Sequence, residues 1–530
     1  MSNKKVWLAF LLFAGLQAQE FRATMSGTVT DAGGAYIPNV KVVAVQVSTG
    51  SKSHTVTNSD GQYSLPFLAP GVYALTAEFA GFKRYSRENV QLGSGDHPVI
   101  DIRMEVGDAA TTVNVTSESP QLNSENASVG QSITTKEVED LPLNGRTPLV
   151  LASLAMGVLA TGQPSLIHPF DAGAAAGWSI GGSPAQVNEI LIDGSPDATW
   201  DGRLAYSPPT DAVQEVVVKA FDSDSAFGHT GGGTINQILK SGTNRISGSV
   251  WEFNQPNNLL ANNFFTNRDN LRVPVLHYNQ YGVTAGGPIW IPKVYDGRNK
   301  LFWFFAWEGL KDTQPISPNP TYISVPTAAM RNGDFSELLT LSSKTVLYNP
   351  FSATQNGSTI TRQPFDNNMI PKDRLNPIAQ AYLKLIPLPN QPGPFGAQNY
   401  ASTTPTVDKY NNFLGRLDYN VSANDRLFFD LRSTDYSQSK NDYFGNNSTS
   451  SFLTRANWGG SLDNVFTVNA TNVVDLRLNF TRLNEAHPSP TAGFDPASLG
   501  FPSYLGALSP YRQLPTLSSP CLKTLLYWNV

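Results

Sequence analysis

Cysteine is nearly absent: Cys521 is the only one in 530 residues. That excludes an internal disulfide framework and any metal site built on cysteine. None of the six histidines begins an HxxE or HExxH pair, so the zinc-peptidase ligand set is missing and no metal or cofactor is expected. Charge is sparse, at 15% of residues with a net value of -5. No basic stripe appears, which argues against a nucleic-acid partner. Long apolar runs are lacking too. The most apolar internal segment, LFWFFAWEGL (301–310), is about half the length of a membrane-spanning helix. If the mature chain enters a membrane, it does so with strands.

What is abundant points to β-structure. Glycine (43), proline (37) and aromatics (11%) accompany many Asn, Ser and Thr residues, the composition of short strands joined by polar turns. The length suits about three or four domains. The first residues, MSNKKVWLAFLLFAGLQAQE, carry Lys4 and Lys5, an apolar run from Val6 to Leu16 and small Ala18. Residues 1–18 therefore read as a cleaved export signal, too short to span a bilayer.

Three zones follow. Residues 22–105 show strands at regular spacing, with Val40, Val42, Ala44 and Val47 expected on one face and Lys41, Val43 and Gln46 on the other. Asp60-Gly61 is a hairpin-type signal, and Pro70-Gly71 separates two further strands. A small β-sandwich is the expectation. Residues 106–122 read as a linker. Val113 and Val115 can form one short strand there, able to add to a partner's sheet edge or to serve as a plain spacer. Residues 123–240 mix a helix (TTKEVEDLP, capped by Thr134 or Thr135) with the strand patterns VNEILIDG, DAVQEVVVKA and GGTINQILKSG, giving a compact α+β unit.

Two motifs in this zone carry possible chemistry. Gly231, Gly232 and Gly233 resemble a phosphate loop, but the Gly-Lys-Ser/Thr end is absent and β-branched residues follow. Gly177-Trp178-Ser179-Ile180-Gly181 matches G-x-S-x-G. In a chain this rich in Gly and Ser a chance match is common, and Pro184 with no clear helix follows, so no strand-turn-helix elbow forms. The chain is not expected to be an enzyme.

From 241 to 530 the pattern becomes strictly alternating. Phe413, Gly415, Leu417, Tyr419 and Val421 share one face, opposite Leu414, Arg416, Asp418 and Asn420. Leu427, Phe429 and Leu431 oppose Arg426, Phe428, Asp430 and Arg432. Val474, Leu476, Leu478 and Phe480 oppose Asp475, Arg477, Asn479 and Thr481. Period two means strands with one apolar and one polar face. About seven strands are expected, near 246–254, 278–287, 300–309, 411–421, 425–435, 456–468 and 472–483. Long connections alternate with short ones such as SAND and NAT, as in a transmembrane β-barrel. Trp251, Phe253, Trp290, Trp303 and Trp307 lie where aromatic girdles form. The glycines before this zone are expected to permit φ > 0 and close backbone approach, with Ser241 to Asn244 turning the chain into the barrel.

The pattern Asp60, Gly61, Tyr63, Leu65, then Leu68, Pro70, Gly71, Tyr73 resembles the carboxypeptidase regulatory-like domain. LPLNGR (141–146), VNEILIDG (187–194), the stretch 208–253, NQYGVTAGGPI (279–289), KLFWFFAWEGL (300–310), 365–390 and 416–434 resemble, in order, the TonB-dependent outer-membrane receptors, most closely the Oar-like subfamily. The resemblance implies a mainly β protein: β-sandwich, α+β plug, and the first part of an antiparallel transmembrane barrel. It implies import of a scarce solute (a siderophore, oligosaccharide, peptide or similar) across the outer membrane, with lipid around the barrel. It also implies that the TonB energy-transducing complex pulls on a short segment. Thr111, Thr112, Val113, Asn114, Val115 and Thr116 are similar to that TonB box, in degenerate form. A plug of this size goes with about 22 strands, so seven strands lead to the expectation of a truncated, inactive form. The competing expectation is a secreted or surface β-protein that binds glycans or protein partners.

Overall fold

The structure is a computed structural model. It describes residues 21–108, 111–115, 129–161, 168–171, 177–185, 187–199, 202–221, 231–262, 264–268, 276–315, 321–341, 344–393, 397–469 and 472–516. The export-signal segment, Thr116 and Cys521 lie outside the described residues.

The amino-terminal unit holds eight strands: β1 (Ala23–Thr30), β2 (Lys41–Gln46), β3 (Lys52–Val56), β4 (Gln62–Leu68), β5 (Gly71–Glu78), β6 (Arg84–Leu92), β7 (Ile102–Arg103) and β8 (Thr112–Val115). They form a three-stranded sheet, β4-β1-β7, and a five-stranded sheet, β3-β2-β5-β6-β8. One core joins the sheets, with Met25, Val42, Leu65, Leu75 and Ile102 buried together. Along β1 every second residue is buried, as the pleat requires. Two expectations need correction. Gln46 is buried and Val47 is 62% exposed, because the period of two that buries Val40, Val42 and Ala44 continues to Gln46 and turns Val47 to the other face. The Asp60-Gly61 turn is not a hairpin: β3 pairs with β2 and β4 with β1, so the chain changes sheets there. Asn58 shapes that turn by accepting from the Asp60 and Gln62 amides, and Gly61 sits at φ 70°.

The middle unit contains β9 (Val129–Ile133), the hairpin β10 (Val158–Ala160) with β11 (Trp178–Ile180), β12 (Glu189–Ile192), β13 (Ser195–Pro196), β14 (Val213–Phe221) and β15 (Thr234–Leu239). Five of these make a mixed sheet, β13-β12-β15-β14-β9, in which only β12 and β15 run parallel. The expected helix spans Thr135–Asp140, and Glu137 reaches back to the Thr134 amide at 2.8 Å, the returning half of a capping box.

The last zone is one antiparallel sheet of seven sequential strands: β16 (Ser247–Pro256), β17 (His277–Pro288), β20 (Leu301–Pro315), β25 (Pro405–Asn420), β26 (Asp425–Lys440), β27 (Ser451–Asn469) and β28 (Asn472–Ala486). Small two-stranded sheets decorate it: β18 (Trp290–Ile291) with β19 (Tyr295–Asp296), β21 (Thr321–Ile323) with the distant β24 (Tyr400–Ser402), and β22 (Thr354–Asn356) with β23 (Thr359–Thr361). The sheet is open, with β16 and β28 as its outer strands among the described residues. No described helix is long and apolar enough to cross a membrane.

The glycine-rich junction resolves as packing. A side chain at Gly233 would strike Ile180 and the Lys219 carbonyl, and one at Gly242 would strike Trp303 and Gly287. Neither glycine lies at positive φ, so close approach rather than left-handed backbone is what they supply. Ser179 sits within β11 and donates to the Ser183 carbonyl at 2.6 Å, and no helix follows it. That is not the elbow a serine nucleophile needs.

Candidate functional site

The seven-stranded sheet is inside-out. Leu431, Val474, Leu476, Leu478 and Phe480 are each about half exposed on the outer face. Asp430, Arg432, Arg416, Asp463 and Glu308 are buried on the inner one. Water on both faces would not select this distribution, whereas lipid outside and a filled interior would. The same test corrects the aromatic girdle. Trp303 and Trp307 alternate with the buried Phe302, Phe304, Ala306 and Glu308, so they face outward. Trp251 and Phe253 face inward instead, where the Arg146 guanidinium stacks at 4.4 and 4.8 Å from their rings.

The inner face holds the middle unit by polar contacts. Arg416 reaches Asp193 at 2.6 Å, and also pairs with Asp418 on its own strand. Asn412 donates to the Ser207 carbonyl at 2.7 Å, Asn479 to the Pro196 carbonyl at 3.2 Å, and Arg203 pairs with Glu485 at 3.1 Å. Arg146, within LPLNGR, pairs with Asp211 beneath the stacked rings. Only modest apolar clusters are shared with the sheet. One joins Ile192, Tyr206, Ala212 and Leu239 to Phe304, Ala306 and Leu414. Burial raises the Asp193 carboxyl to about 6 although Arg416 opposes the shift, and burial raises Asp197 to about 8. Carboxyl groups tuned this way are not evidence of catalysis here, since each is explained by its place against the strand wall.

At the other end of the middle unit, His168 lies between Asp312 of β20 at 3.1 Å and Asp171 at 3.6 Å. Its ring stacks on Phe170, which in turn stacks on Tyr436. Burial alone would lower the His168 pKa, but its hydrogen bonds to the two carboxylates prevail and raise it to about 9.

The amino-terminal unit seats against the same sheet. Arg22 reaches Asp463 at 3.1 Å and Asp475 at 3.4 Å. Arg426 donates to the Phe67 and Lys52 carbonyls and to Ser53. Gln214 of the middle unit donates to the Pro70 carbonyl at 3.3 Å. A cavity of about 100 Å³ remains among the three units, bordered by Arg22, Phe67, Asp193, Arg416 and Arg426.

The described part of the candidate segment, residues 111–115, lies apart from this network. Thr112 to Val115 form β8, parallel to β6, with Arg84 opposite Thr112 and Arg87 opposite Val115. Thr111 accepts from the Arg84 amide at 3.0 Å, and its own amide donates to Asp108. Residue alternation pointed to Arg416, Arg426, Asp430 and Arg477 as an inner face. It missed Arg22, His168 and Arg146, which sit in turns or at a strand's end, where no period exists to read.

Comparison with known proteins agrees with this geometry. Residues 238–523 match the family model of the outer membrane beta barrel domain, and residues 24–105 match the carboxypeptidase regulatory-like domain. The TonB-dependent transporter Oar of Myxococcus xanthus is 25% identical over 308 residues, covering 56% of this chain. The chain spans 27% of that relative's length. Among solved structures, the outer membrane transporter YddB of Escherichia coli matches at 11% identity and a TM-score of 0.43, over 68% of this chain and 40% of that one. The ferric enterobactin receptor of Pseudomonas aeruginosa matches at 13% and 0.35, over 67% of this chain and 41% of that one.

Proposed function

The chain belongs to the outer membrane beta barrel domain family, and from that premise we propose that it serves in TonB-dependent uptake of a scarce solute. The sheet lies in the outer membrane with its apolar face to lipid. The middle unit acts as the plug held against the inner face, and residues 111–116 act as the segment that TonB engages. The observation that carries this reading is the inversion of the sheet: charged residues buried against the middle unit, apolar residues exposed outside. A secreted sandwich binding glycans would have no use for a fifteen-residue strand such as β28 with its apolar side turned out.

The polar plug contact suits a unit that must move. Hydrogen bonds and ion pairs to the wall can be exchanged for water, whereas a fused apolar core cannot be opened at comparable cost. Solutes compatible with such a wet interior include siderophores, oligosaccharides and peptides.

The test uses Val113→Pro in the protein expressed in its outer membrane. Proline removes the strand's amide donor and fixes φ. Uptake driven by TonB should fall at least tenfold, while solute binding to cells stays unchanged. Unaltered uptake would show that the coupling segment lies elsewhere.

A further inference from the structure

The amino-terminal unit folds around a core of its own. Among the described residues, every buried member of that core lies between Ala23 and Met104, and none comes from the wall or the middle unit. What joins the unit to the rest is narrow and mostly polar. Arg22 spans to Asp463 and Asp475, and its guanidinium also lies 5.3 Å from the Phe67 ring. Arg426 reaches back to Phe67, Lys52 and Ser53. The Asn244 amide donates to the Ser48 carbonyl at 3.0 Å, and the Ser94 amide to Glu215 at 3.1 Å. The apolar cluster that crosses the boundary is small: Phe21 with Ile238 and Phe428. These contacts gather at one end of the sheet. Ser53 and Phe67 face Ala423 and Asn424, in the turn from β25 to β26, across a small pocket. Asp463 and Asp475 lie on the two arms of the turn from β27 to β28. The longer connections leave from the opposite strand ends, where His168 meets Asp312.

We propose that the amino-terminal unit is a detachable gate. Seated as here, it closes the short-turn end of the space between the middle unit and the wall, and it leaves as one folded body when Arg22 and Arg426 let go. The proposal rests on the uptake reading above, in which short turns face the periplasm and the solute leaves on that side. What the gate covers is the cavity of about 100 Å³ behind Arg22 and Phe67, bordered also by Ile238, Asp193 and Arg416. An orphaned buried charge is the usual obstacle to opening an ionic interface. Here Asp463 and Asp475 also pair with Arg477, at 2.6 and 3.5 Å, so the departure of Arg22 strands neither carboxylate in the wall. The unit keeps its own core, and narrow polar interfaces between domains permit relative motion. Arg416 holds Asp193 without help from the amino-terminal unit, so the gate can leave while the middle unit stays.

The experiment places a reporter, Ile238→Cys, in a Cys521→Ser background of the full chain held in lipid vesicles. Ile238 is 2% exposed and packs beneath Phe21. A polyethylene-glycol maleimide reaches a thiol there only after the unit departs. Arg22→Ala and Arg426→Ala should each speed labelling at least tenfold. Amide exchange at Val42 and Leu75, which lie in the unit's own core on strands paired on both sides, should keep its wild-type rate. Unchanged labelling in both variants would show that the unit is a fixed part of the wall and would overturn the proposal. Faster labelling with equally faster exchange at Val42 and Leu75 would show unfolding of the unit instead of its departure, and would overturn it as well. Labelling needs no transport, so either failure leaves the uptake reading to be judged by Val113→Pro alone.

Discussion

His168 joins two parts of the molecule through charge. Its ring bridges Asp171 of its own loop and Asp312 of the wall, with Asp408 and Tyr278 close by. A histidine whose folded pKa is raised to about 9 stabilises the folded state fully below its ordinary value of about 6.5. That contribution is lost as the pH rises through about 9. Amide exchange at residues 168, 170 and 171 should therefore accelerate several-fold between these limits, beyond the intrinsic chemical rate. His168→Gln should flatten the dependence, and a wild-type profile equally flat would refute the bridge. None of this was legible in the sequence. His168 stands in HPFD, an unremarkable loop string, and its partner Asp312 lies far along the chain. Arg22 was equally hidden. It precedes the first strand, and its carboxylate partners lie on β27 and β28.

At the scale of elements, alternation was a sound guide to strands and to their faces. Alternation set Leu476, Leu478 and Phe480 on the face opposite Arg477 and Asn479, and the structure agrees: the first three are about half exposed, Arg477 pairs with Asp463 at 2.6 Å and Asn479 reaches the middle unit. Strand ends were read less well. β25 begins at Pro405 and β26 runs to Lys440, several residues past the alternating stretch. There Thr406, Asp408, Lys409, Ser437, Gln438 and Lys440 pair as backbone, and the apolar Val407 and Tyr410 fall on opposite faces, which leaves no apolar period. The faces of β16 were also hard to read, because Trp251 is apolar yet turned inward, its place set by Arg146 and by the space over Gly282. The parallel β6–β8 pairing depends on tertiary contact and has no local signature. Leu478 sits near the middle of β28, opposite Leu462. Leu478→Arg should destabilise the sheet in lipid by about 2–4 kcal/mol, the cost of a cation at the midplane. Asn479→Gln, on the other face, keeps an amide acceptor for Arg432 and should cost much less. Denaturant unfolding in lipid vesicles measures both, and equal losses would mean that both faces are wet.

Across the whole molecule, the amino-terminal and middle units converge on one polar sheet face, and the opposite face is left apolar. The amino-terminal unit meets the wall through Arg22 and Arg426, the middle unit through Arg416, Arg203 and His168. This layout makes sense only if the outer face contacts lipid. Single cysteines at 476, 477, 478, 479 and 480, in the Cys521→Ser background, can each carry a fluorophore after insertion into vesicles containing brominated lipid. Lipid should quench the label at 476, 478 and 480 and spare it at 477 and 479. Quenching at 477 and 479, or none at any of the five positions, would contradict a lipid-facing outer surface.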